Sequence, residues 1–538
     1  MIHDSERIAL SSIAILFLTI FAAMAGFFLG LRIGIFIPIT VIVLMVAYAL
    51  LFDRRFLYTS LLCLGLLALW AVVCYFIFDW SFDGMYYHKQ AIITLKEGWN
   101  PLQESSLRAD VFASYPDMAL WLDNYPKGIW MVSAVIYSLT NLLETAKAVN
   151  ILFLIPLFAL SFDILRHVYQ YGKTKSVVFS VLFVLNPVFI CQVFTSYNDL
   201  AVGALVIMAA LIGIKIYNNG ANRYTYAILF GVCALSCTVK FTAPVLVGIV
   251  LLATGICYAI REKWDRKKLI KPVIVVLLGF FAGVAVLGFD PYVKHMMEGK
   301  HILHPVMGSE KYDIMNTNPP AGMEGKNAVE KVFYSLFSKT SNSIDQEPVL
   351  KIPFCIYKDE WIHLSNADIR IGGFGVLFGG IFILSILLLL LNSLNKQRLK
   401  PGVLVFLVLF TGLTLFFPES WWARYTSYTY YIPVLILLYG SGRWDWLRNT
   451  IAVLLIANSM LFAVAVATNG LAITNLLQTR LEEIKSHNQK VIVRVNDFPS
   501  HVKLFGESGI DYEVSHVSLK EPRIFYRSTK YLYEDEIH

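Results

Sequence analysis

Long apolar stretches recur along most of this chain and are separated by polar segments. A helix needs about 20 apolar residues to cross a bilayer, where its backbone hydrogen bonds are all internal. By this criterion we predict about thirteen transmembrane helices. Their approximate ranges are 9–29, 34–52, 56–78, 146–165, 176–194, 199–217, 224–239, 241–260, 272–289, 371–393, 402–417, 426–440 and 449–468. The pattern therefore predicts an all-α polytopic membrane protein.

The polar segments divide the chain into six parts. These are N-terminal membrane helices, a first outer loop, a membrane core, a large outer loop, C-terminal membrane helices and a small C-terminal region, at 1–78, 79–145, 146–289, 290–370, 371–468 and 469–538. In the first outer loop, YPKGIWMVSAVIYSLTNLLE predicts an interfacial helix. The large outer loop has about 80 residues, a length that favours a functional role. Near the C-terminus, 491–499 begins with the alternation of a strand, which predicts a small α/β outer region.

Composition and charge agree with this class and indicate an orientation. The chain is 57% hydrophobic and 15% charged. Cytoplasmic loops are enriched in Lys and Arg, and 261–271 carries six of them against two acids. All basic clusters face the cytoplasm if 128–143 stays at the interface without crossing. The N-terminus is then cytoplasmic and the C-terminus outside, and the net charge of +7 reflects topology rather than nucleic-acid binding.

Three acidic residues at predicted outer helix ends are candidate catalytic groups. Asp79 and Asp83 follow the third apolar stretch, and helical spacing would place both carboxylates on one face. One could then accept a proton from an acceptor hydroxyl while the other orients the acceptor or a cation. Asp199 begins another apolar stretch on the same side. The alternative is that these acids cap helix ends.

Four basic residues are candidate ligands for a phosphate. Lys240 lies between two closely spaced apolar stretches, and Arg424 follows a pair of tryptophans at an outer helix junction. Each side chain either snorkels to the interface or binds a lipid phosphate. His301 and His304 have a spacing that metal sites use, but no nearby pattern completes a ligand set. Phosphate or sugar recognition is the favoured role for both.

Aromatic and polar residues accompany these groups and suit a sugar or a polar headgroup. The candidate substrate-binding residues are Tyr86, Tyr87, His88, Trp99, Asn100, Tyr197, Asn198, Glu419 and Trp422. An interfacial aromatic belt is the alternative for the tryptophan-rich junction. No cofactor is assigned from the sequence, and a divalent cation bound by the acidic residues stays open.

The motifs DGMYYH, YPKG, YNDLAVG and WWARY, in this order along the first 440 residues, resemble the GT-C superfamily of polytopic membrane glycosyltransferases. The resemblance implies a sugar donor linked to polyprenyl phosphate or pyrophosphate. It also implies an outer-loop acid as general base, matched by Asp83 and Asp79, and Asp199 as the second-loop acid. A bacterial cytoplasmic membrane with an outward-facing site is the expected location. The chain lacks the WWD motif of oligosaccharyltransferases and a clear Asp-x-Asp.

We therefore expect a glycosyltransferase that moves a sugar from a lipid-linked donor to a glycan, lipid or protein acceptor. No glycine-rich phosphate loop occurs in the sequence, which favours a lipid-linked donor over a nucleotide sugar. Two alternatives remain open. A lipid-linked glycan polymerase or ligase would use a similar outer loop, and a transporter or lipid flippase would also need many spans.

Overall fold

A computed structural model of the protein describes residues 3–106, 116–309, 311–312, 318–396, 399–438 and 442–536. The chain is mostly helical, as predicted, and ends in a small β-sheet. In this described part, seven helices are long and apolar enough to cross a membrane. They are Asp4–Phe28, Arg55–Tyr75, Leu143–Val168, Asp199–Asn218, Thr242–Arg261, Arg266–Leu287 and Asp445–Ser486.

The α-helices are labelled in chain order. In the first half they are α1 (Asp4–Phe28), α2 (Phe36–Leu51), α3 (Arg55–Tyr75), α4 (Lys89–Lys96), α5 (Pro116–Asn124), α6 (Gly128–Thr140), α7 (Ile151–Asp163), α8 (Lys173–Val184), α9 (Pro187–Gln192), α10 (Asp199–Asn219), α11 (Arg223–Val239) and α12 (Thr242–Arg261). In the second half they are α13 (Arg266–Ala282), α14 (Lys294–Met297), α15 (Ala328–Phe337), α16 (Lys358–Trp361), α17 (Phe378–Leu394), α18 (Pro401–Phe416), α19 (Tyr431–Ile436), α20 (Asp445–Ser486) and α21 (Val502–Glu507).

Two of the predicted spans do not form one continuous helix. The range 176–194 breaks between α8 and α9, because Pro187 cannot continue a helix and the Asn186 side chain instead caps α9. The range 426–440 begins with a 3₁₀ turn followed by the six residues of α19. Five further apolar helices, α2, α6, α11, α17 and α18, have 10–17 residues each. Length and composition therefore support seven spans in the described part, fewer than the predicted thirteen.

The helix ends lie on two sides of the bundle. We call the side that carries 76–106, 116–145, 193–198, 240–241, 288–309, 311–312 and 318–377 the loop end, and the side that carries 52–54, 169–172, 220–222 and 262–265 the basic end. At the basic end, Arg7 on α1 pairs with Asp53, and Lys215 on α10 pairs with both Glu6 and Asp163. At the loop end, Lys240 pairs with Asp199 at the start of α10. Buried charges thus join neighbouring helices at both ends.

Helix α6, in the segment predicted to stay at the interface, does not run across the bundle. Lys127 at its start pairs with Asp290, which follows α13 at the loop end. Leu143, just after its end, donates a backbone hydrogen bond to Glu507 of the C-terminal region. Most of the side chains between these points are buried. Both ends of α6 therefore lie at the loop end, where the helix packs against α4 and the ends of α1 and α11.

The last membrane helix is much longer than the predicted span of 449–468. Helix α20 continues to Ser486, and its later turns bury Gly470, Thr474, Leu477 and Leu481 on one stripe. Thr474 accepts a hydrogen bond from the backbone N–H of Phe78, so this extension also contacts the residue that precedes the first outer loop. The stripe keeps the helix continuous beyond the apolar stretch.

A small C-terminal domain follows α20, and it contains the β-structure that the sequence predicted. Its strands β1 (Val491–Arg494), β2 (Tyr512–Val514), β3 (Arg523–Tyr526) and β4 (Thr529–Tyr533) form a mixed sheet in the order β2-β1-β4-β3. The domain packs on the first outer loop, where Ser500 donates a hydrogen bond to the carbonyl of Met85 and Lys503 pairs with Glu97. It therefore covers part of the loop end.

We expect the two ends of the bundle to be labelled from opposite sides of the membrane. Cys355 is exposed in the large outer loop and is a native reporter, and exposed Ser518 and Lys267 mark the C-terminal domain and the basic end. An impermeant maleimide applied to intact spheroplasts should label Cys355 and, in a Cys355→Ser background, Ser518→Cys but not Lys267→Cys. Permeabilised cells provide the control for reactivity. Labelling of Lys267→Cys and Cys355 from the same side would contradict this topology.

Candidate active site

A cavity of about 530 Å³ opens at the loop end and collects groups from distant parts of the chain. Its charged lining residues are Asp83, Lys240, Asp368, Arg370, Arg424 and Arg527. Its aromatic lining residues are Trp80, Phe82, Tyr86, Tyr87, Trp121, Tyr125, Tyr312, Trp422 and Tyr425. A groove of about 730 Å³ between membrane helices is lined almost entirely by apolar side chains. The polar cavity is therefore the candidate active site.

A chain of alternating charges lies along one wall of this cavity. The Arg424 guanidinium donates to Asp83 Oδ2 at 3.1 Å and lies 4.0 Å from Asp199 Oδ2. Lys240 Nζ lies 2.5 Å from the other oxygen of Asp199. Because Asp199 is buried between the two cations, it holds both at the cavity wall. Asp83 keeps 26% of its side-chain surface exposed, so its carboxylate is accessible to a bound substrate.

Arg424 is positioned by aromatic rings as well as by charge. Its guanidinium carbon lies 4.2 Å from the centre of the Trp422 ring and 5.0 Å from that of Tyr425. The group is buried, and its Nε has no hydrogen-bond partner among the described residues. Because Arg424 also lines the cavity, its guanidinium is suited to bind a substrate oxygen.

Asp79 has a different environment from Asp83. The two do not share a helical face, because the chain is not helical between α3 and Phe82. Asp79 Oδ1 accepts hydrogen bonds from the backbone N–H and hydroxyl of Ser81, and Oδ2 accepts one from the backbone N–H of Ser196. The carboxylate is fully buried and joins the loop after α3 to the loop before α10. Asp79 therefore positions Asp83 from behind and does not line the cavity.

Of the candidate sugar-binding residues, Tyr86, Tyr87 and Trp422 line the cavity. Tyr197 lies directly behind its wall, where its hydroxyl donates to Asp368 Oδ2 at 3.4 Å. The structure brings these four residues together with Asp83.

The other candidates are engaged elsewhere. His88 accepts a hydrogen bond from the Trp130 indole, and Trp99 donates to the carbonyl of Glu104. The Asn100 and Asn198 amides donate to the backbone carbonyls of Phe27 and Val239, and Glu419 accepts from the Trp421 indole. None of these five lines the cavity within the described chain.

The two histidines of the large outer loop also lie outside the cavity lining. His304 is buried, with its ring 5.5 Å from that of His295, whereas His301 is exposed. One group of three metal-ligating side chains occurs in the described ranges, and it lies at the basic end: His3, Asp163 and His167. The two imidazole rings there stack at 3.5 Å with parallel planes, so their nitrogen lone pairs do not converge on one ion.

Three charged residues of the cavity were missed by the sequence analysis. Asp368 and Arg370 precede α17, and Arg527 belongs to the turn between β3 and β4. The first two share the feature that singled out Asp83, a charged residue next to a long apolar stretch. Arg527 has no such feature, since its place depends on how the C-terminal domain packs.

Burial controls the charge of groups around the site. Burial lowers the pKa of His88 to about 3. The nearby charges of Lys240 and Arg424 also lower it, whereas the Asp199 carboxylate acts to raise it. Burial also opposes the charge on Lys240, but the Asp199 carboxylate raises its pKa above the ordinary value. His88 is therefore neutral at physiological pH, and Lys240 is charged.

Comparisons with known proteins add no further constraint: no protein-family model, no characterised protein and no solved structure matches the chain.

We expect His88 to destabilise the protein in acid. Its folded-state pKa of about 3 lies below the ordinary 6.5, so the unfolded chain binds more protons between these values and stability falls as pH drops through this window. His88→Gln keeps an acceptor for Trp130. Its melting temperature should fall less between pH 6.5 and 4.5 than that of the wild type. The control is His516→Gln, a change at an exposed histidine of the C-terminal domain. Identical acid slopes for His88→Gln and the wild type would contradict the assignment.

Proposed function

We propose that the protein is a membrane glycosyltransferase that uses a sugar donor linked to polyprenyl phosphate or pyrophosphate. The observation that carries this proposal is the accessible Asp83 carboxylate beside Arg424 and Lys240 in one polar cavity at the loop end. A carboxylate can accept a proton, and two adjacent cations can stabilise an anionic leaving group. Aromatic walls next to these groups suit the faces of a sugar ring.

The proposed reaction is a direct displacement at the anomeric carbon. The acceptor hydroxyl gives its proton to Asp83 while its oxygen forms a bond to the anomeric carbon. The bond between that carbon and the phosphate oxygen breaks, and the lipid phosphate leaves with the electron pair. A single displacement of this kind inverts the anomeric centre. The positive charge of Arg424 at the cavity wall stabilises the departing oxygen, and Lys240 contributes a second positive charge.

In this proposal the phosphate group of the donor binds at the ends of membrane helices. Lys240 lies between the end of α11 and the start of α12, and Asp199 begins α10. A polyprenyl phosphate places its charge at this level while its chain stays among lipid tails. The acceptor, a glycan, lipid or protein, then reaches the cavity from the aqueous side.

We also propose the finer topology of about thirteen spans and a GT-C-like arrangement. Helices α2, α11, α17 and α18 have 16 or 17 residues, and at about 1.5 Å per residue they extend roughly 24–26 Å, close to the hydrocarbon thickness. Of these, α11 runs from the basic end to the loop end. The basic clusters then face the cytoplasm, and the cavity faces outward from a bacterial cytoplasmic membrane.

The general base is tested by Asp83→Asn. We expect this amide, which cannot accept the proton, to reduce transfer at least roughly 100-fold while the folded protein remains in the membrane. The measurement is release of free polyprenyl phosphate from synthetic polyprenyl-phosphate sugars, in membranes that contain the acceptor. Asp368→Asn is the matched comparison, because it is the other carboxylate of the cavity. Near-normal turnover by Asp83→Asn would remove it as the base, and loss of turnover in Asp368→Asn alone would transfer the role to that residue.

The donor phosphate site is tested by Lys240→Ala and Arg424→Ala. Each change should weaken donor use roughly tenfold or more, because a charged hydrogen bond to the phosphate is lost. Arg424→Lys should recover only part of the loss, since an ammonium group cannot reproduce the guanidinium contacts. Donor-saturation kinetics at fixed acceptor measure the effect. Lys339→Ala, a change in the large outer loop away from the cavity lining, is the control. Unchanged donor dependence in both alanine variants would leave the two cations as interfacial anchors.

A further inference from the structure

The cavity contains more positive charge than its carboxylates balance. Four cations and two carboxylates line it. Lys240 and Arg424 form ion pairs with Asp199 and Asp83. Within the described parts of the chain, Arg370 and Arg527 form no ion pair at 4.0 Å or less, and neither is used in the reaction proposed above. These two guanidinium groups therefore need an explanation of their own.

Arg370 is held by neutral oxygens. Its NH1 donates to the Asn342 amide oxygen at 3.0 Å, and its NH2 and Nε donate to the side chain and backbone oxygens of Asn318. Its guanidinium carbon lies 4.9 Å from the centre of the Trp422 ring. Burial lowers the pKa of Arg370, although the nearby Asp368 carboxylate acts in the opposite direction. The positive charge of Arg370 is therefore incompletely compensated. The amides fix the orientation of the group without neutralising it.

Arg527 reaches the cavity from the C-terminal domain. It begins the two-residue turn between β3 and β4, in a left-handed backbone conformation with φ of 50°. Its NH2 donates to the carbonyl of Trp80 at 2.7 Å, three residues before Asp83. Arginine has no particular preference for left-handed backbone, whereas Gly or Asn would fit a turn of this kind more easily. The guanidinium is thus placed in the cavity by the C-terminal domain.

The geometry points to Arg370 and Arg527 as a second anion-binding site, which takes a phosphate or carboxylate group of a substrate and makes the C-terminal domain part of the substrate cavity. Guanidinium groups fixed at a concave, partly desolvated wall favour such oxyanions. The inference deepens the proposed transferase function and rests on it only for the identity of the substrate. Two sources fit the chemistry, the second phosphate of a pyrophosphate-linked donor and an acidic group of the acceptor.

The site is tested by equilibrium binding to the purified full-length protein in detergent. The probes are inorganic pyrophosphate and glucuronate, followed through the fluorescence of the cavity tryptophans Trp80, Trp121 and Trp422. We expect at least one probe to bind, and Arg527→Asn and Arg370→Gln each to weaken it roughly tenfold or more. Asparagine at 527 suits the left-handed backbone, so this variant removes the charge without straining the turn. Arg527→Lys should retain part of the affinity.

Arg523→Ala is the matched control, because Arg523 lies in the same hairpin and pairs with Glu536 away from the cavity lining. Unchanged affinity in both Arg527→Asn and Arg370→Gln would overturn the site, as would no binding of either probe. Equal loss in Arg523→Ala would overturn it as well, because the effect would then come from the stability of the domain. Competition by polyprenyl pyrophosphate assigns the site to the donor, and glucuronate binding without such competition assigns it to the acceptor. This experiment measures binding and not transfer. Its result therefore stands even if the Asp83→Asn assay contradicts the proposed transferase function.

Discussion

The arrangement of the loop end depends on the rule that a buried charge needs an opposite charge or several hydrogen bonds. Asp199 lies between Lys240 and Arg424, Lys127 pairs with Asp290, and Glu144 is shared by two lysines. Apart from Glu144 and Lys147, which are three residues apart in one 3₁₀ helix, the partners come from different helices or loops. The pairs therefore fix how the first outer loop sits on the helix ends, and with it the position of Asp83. Removing one member of such a pair leaves the other charge buried and unpaired, which costs about 3–5 kcal/mol.

Hydropathy predicted the class of the protein and the general position of its helices, but it did not resolve their continuity. The apolar stretch 176–194 has the right length, yet Asn186 and Pro187 divide it into α8 and α9. At α20 the predicted span was too short. The helix continues past residue 468 because its later turns bury one stripe of side chains although the segment as a whole is no longer apolar. Strand β1 was recognisable from its alternation. The pairing of its sheet was not, since β1 contacts β2 and β4 across long separations in sequence.

The candidate site was partly predictable for a similar reason. Asp83, Lys240 and Arg424 each follow or precede an apolar stretch on one side of the bundle, so topology alone brings them to one end. Whether a polar side chain at that end faces the cavity is a different matter. Asn100 and Asp79 instead satisfy backbone groups in their surroundings, a role that local sequence does not distinguish from substrate binding. Arg527 depends on the docking of a separate domain, which no local pattern encodes.

The length of α20 has a mechanical consequence. Its 42 residues extend about 63 Å, roughly twice the hydrocarbon thickness of a bilayer, without a break. A continuous helix of this length fixes how far the C-terminal domain lies from the other end of the bundle and how it is rotated about the helix axis. One inserted residue would turn that domain by about 100° and move it by about 1.5 Å, whereas seven would nearly restore its phase but raise it by about 10 Å. Because the C-terminal domain contributes Arg527 to the cavity, the shape of the cavity depends on the geometry of a helix that begins at the opposite end of the bundle.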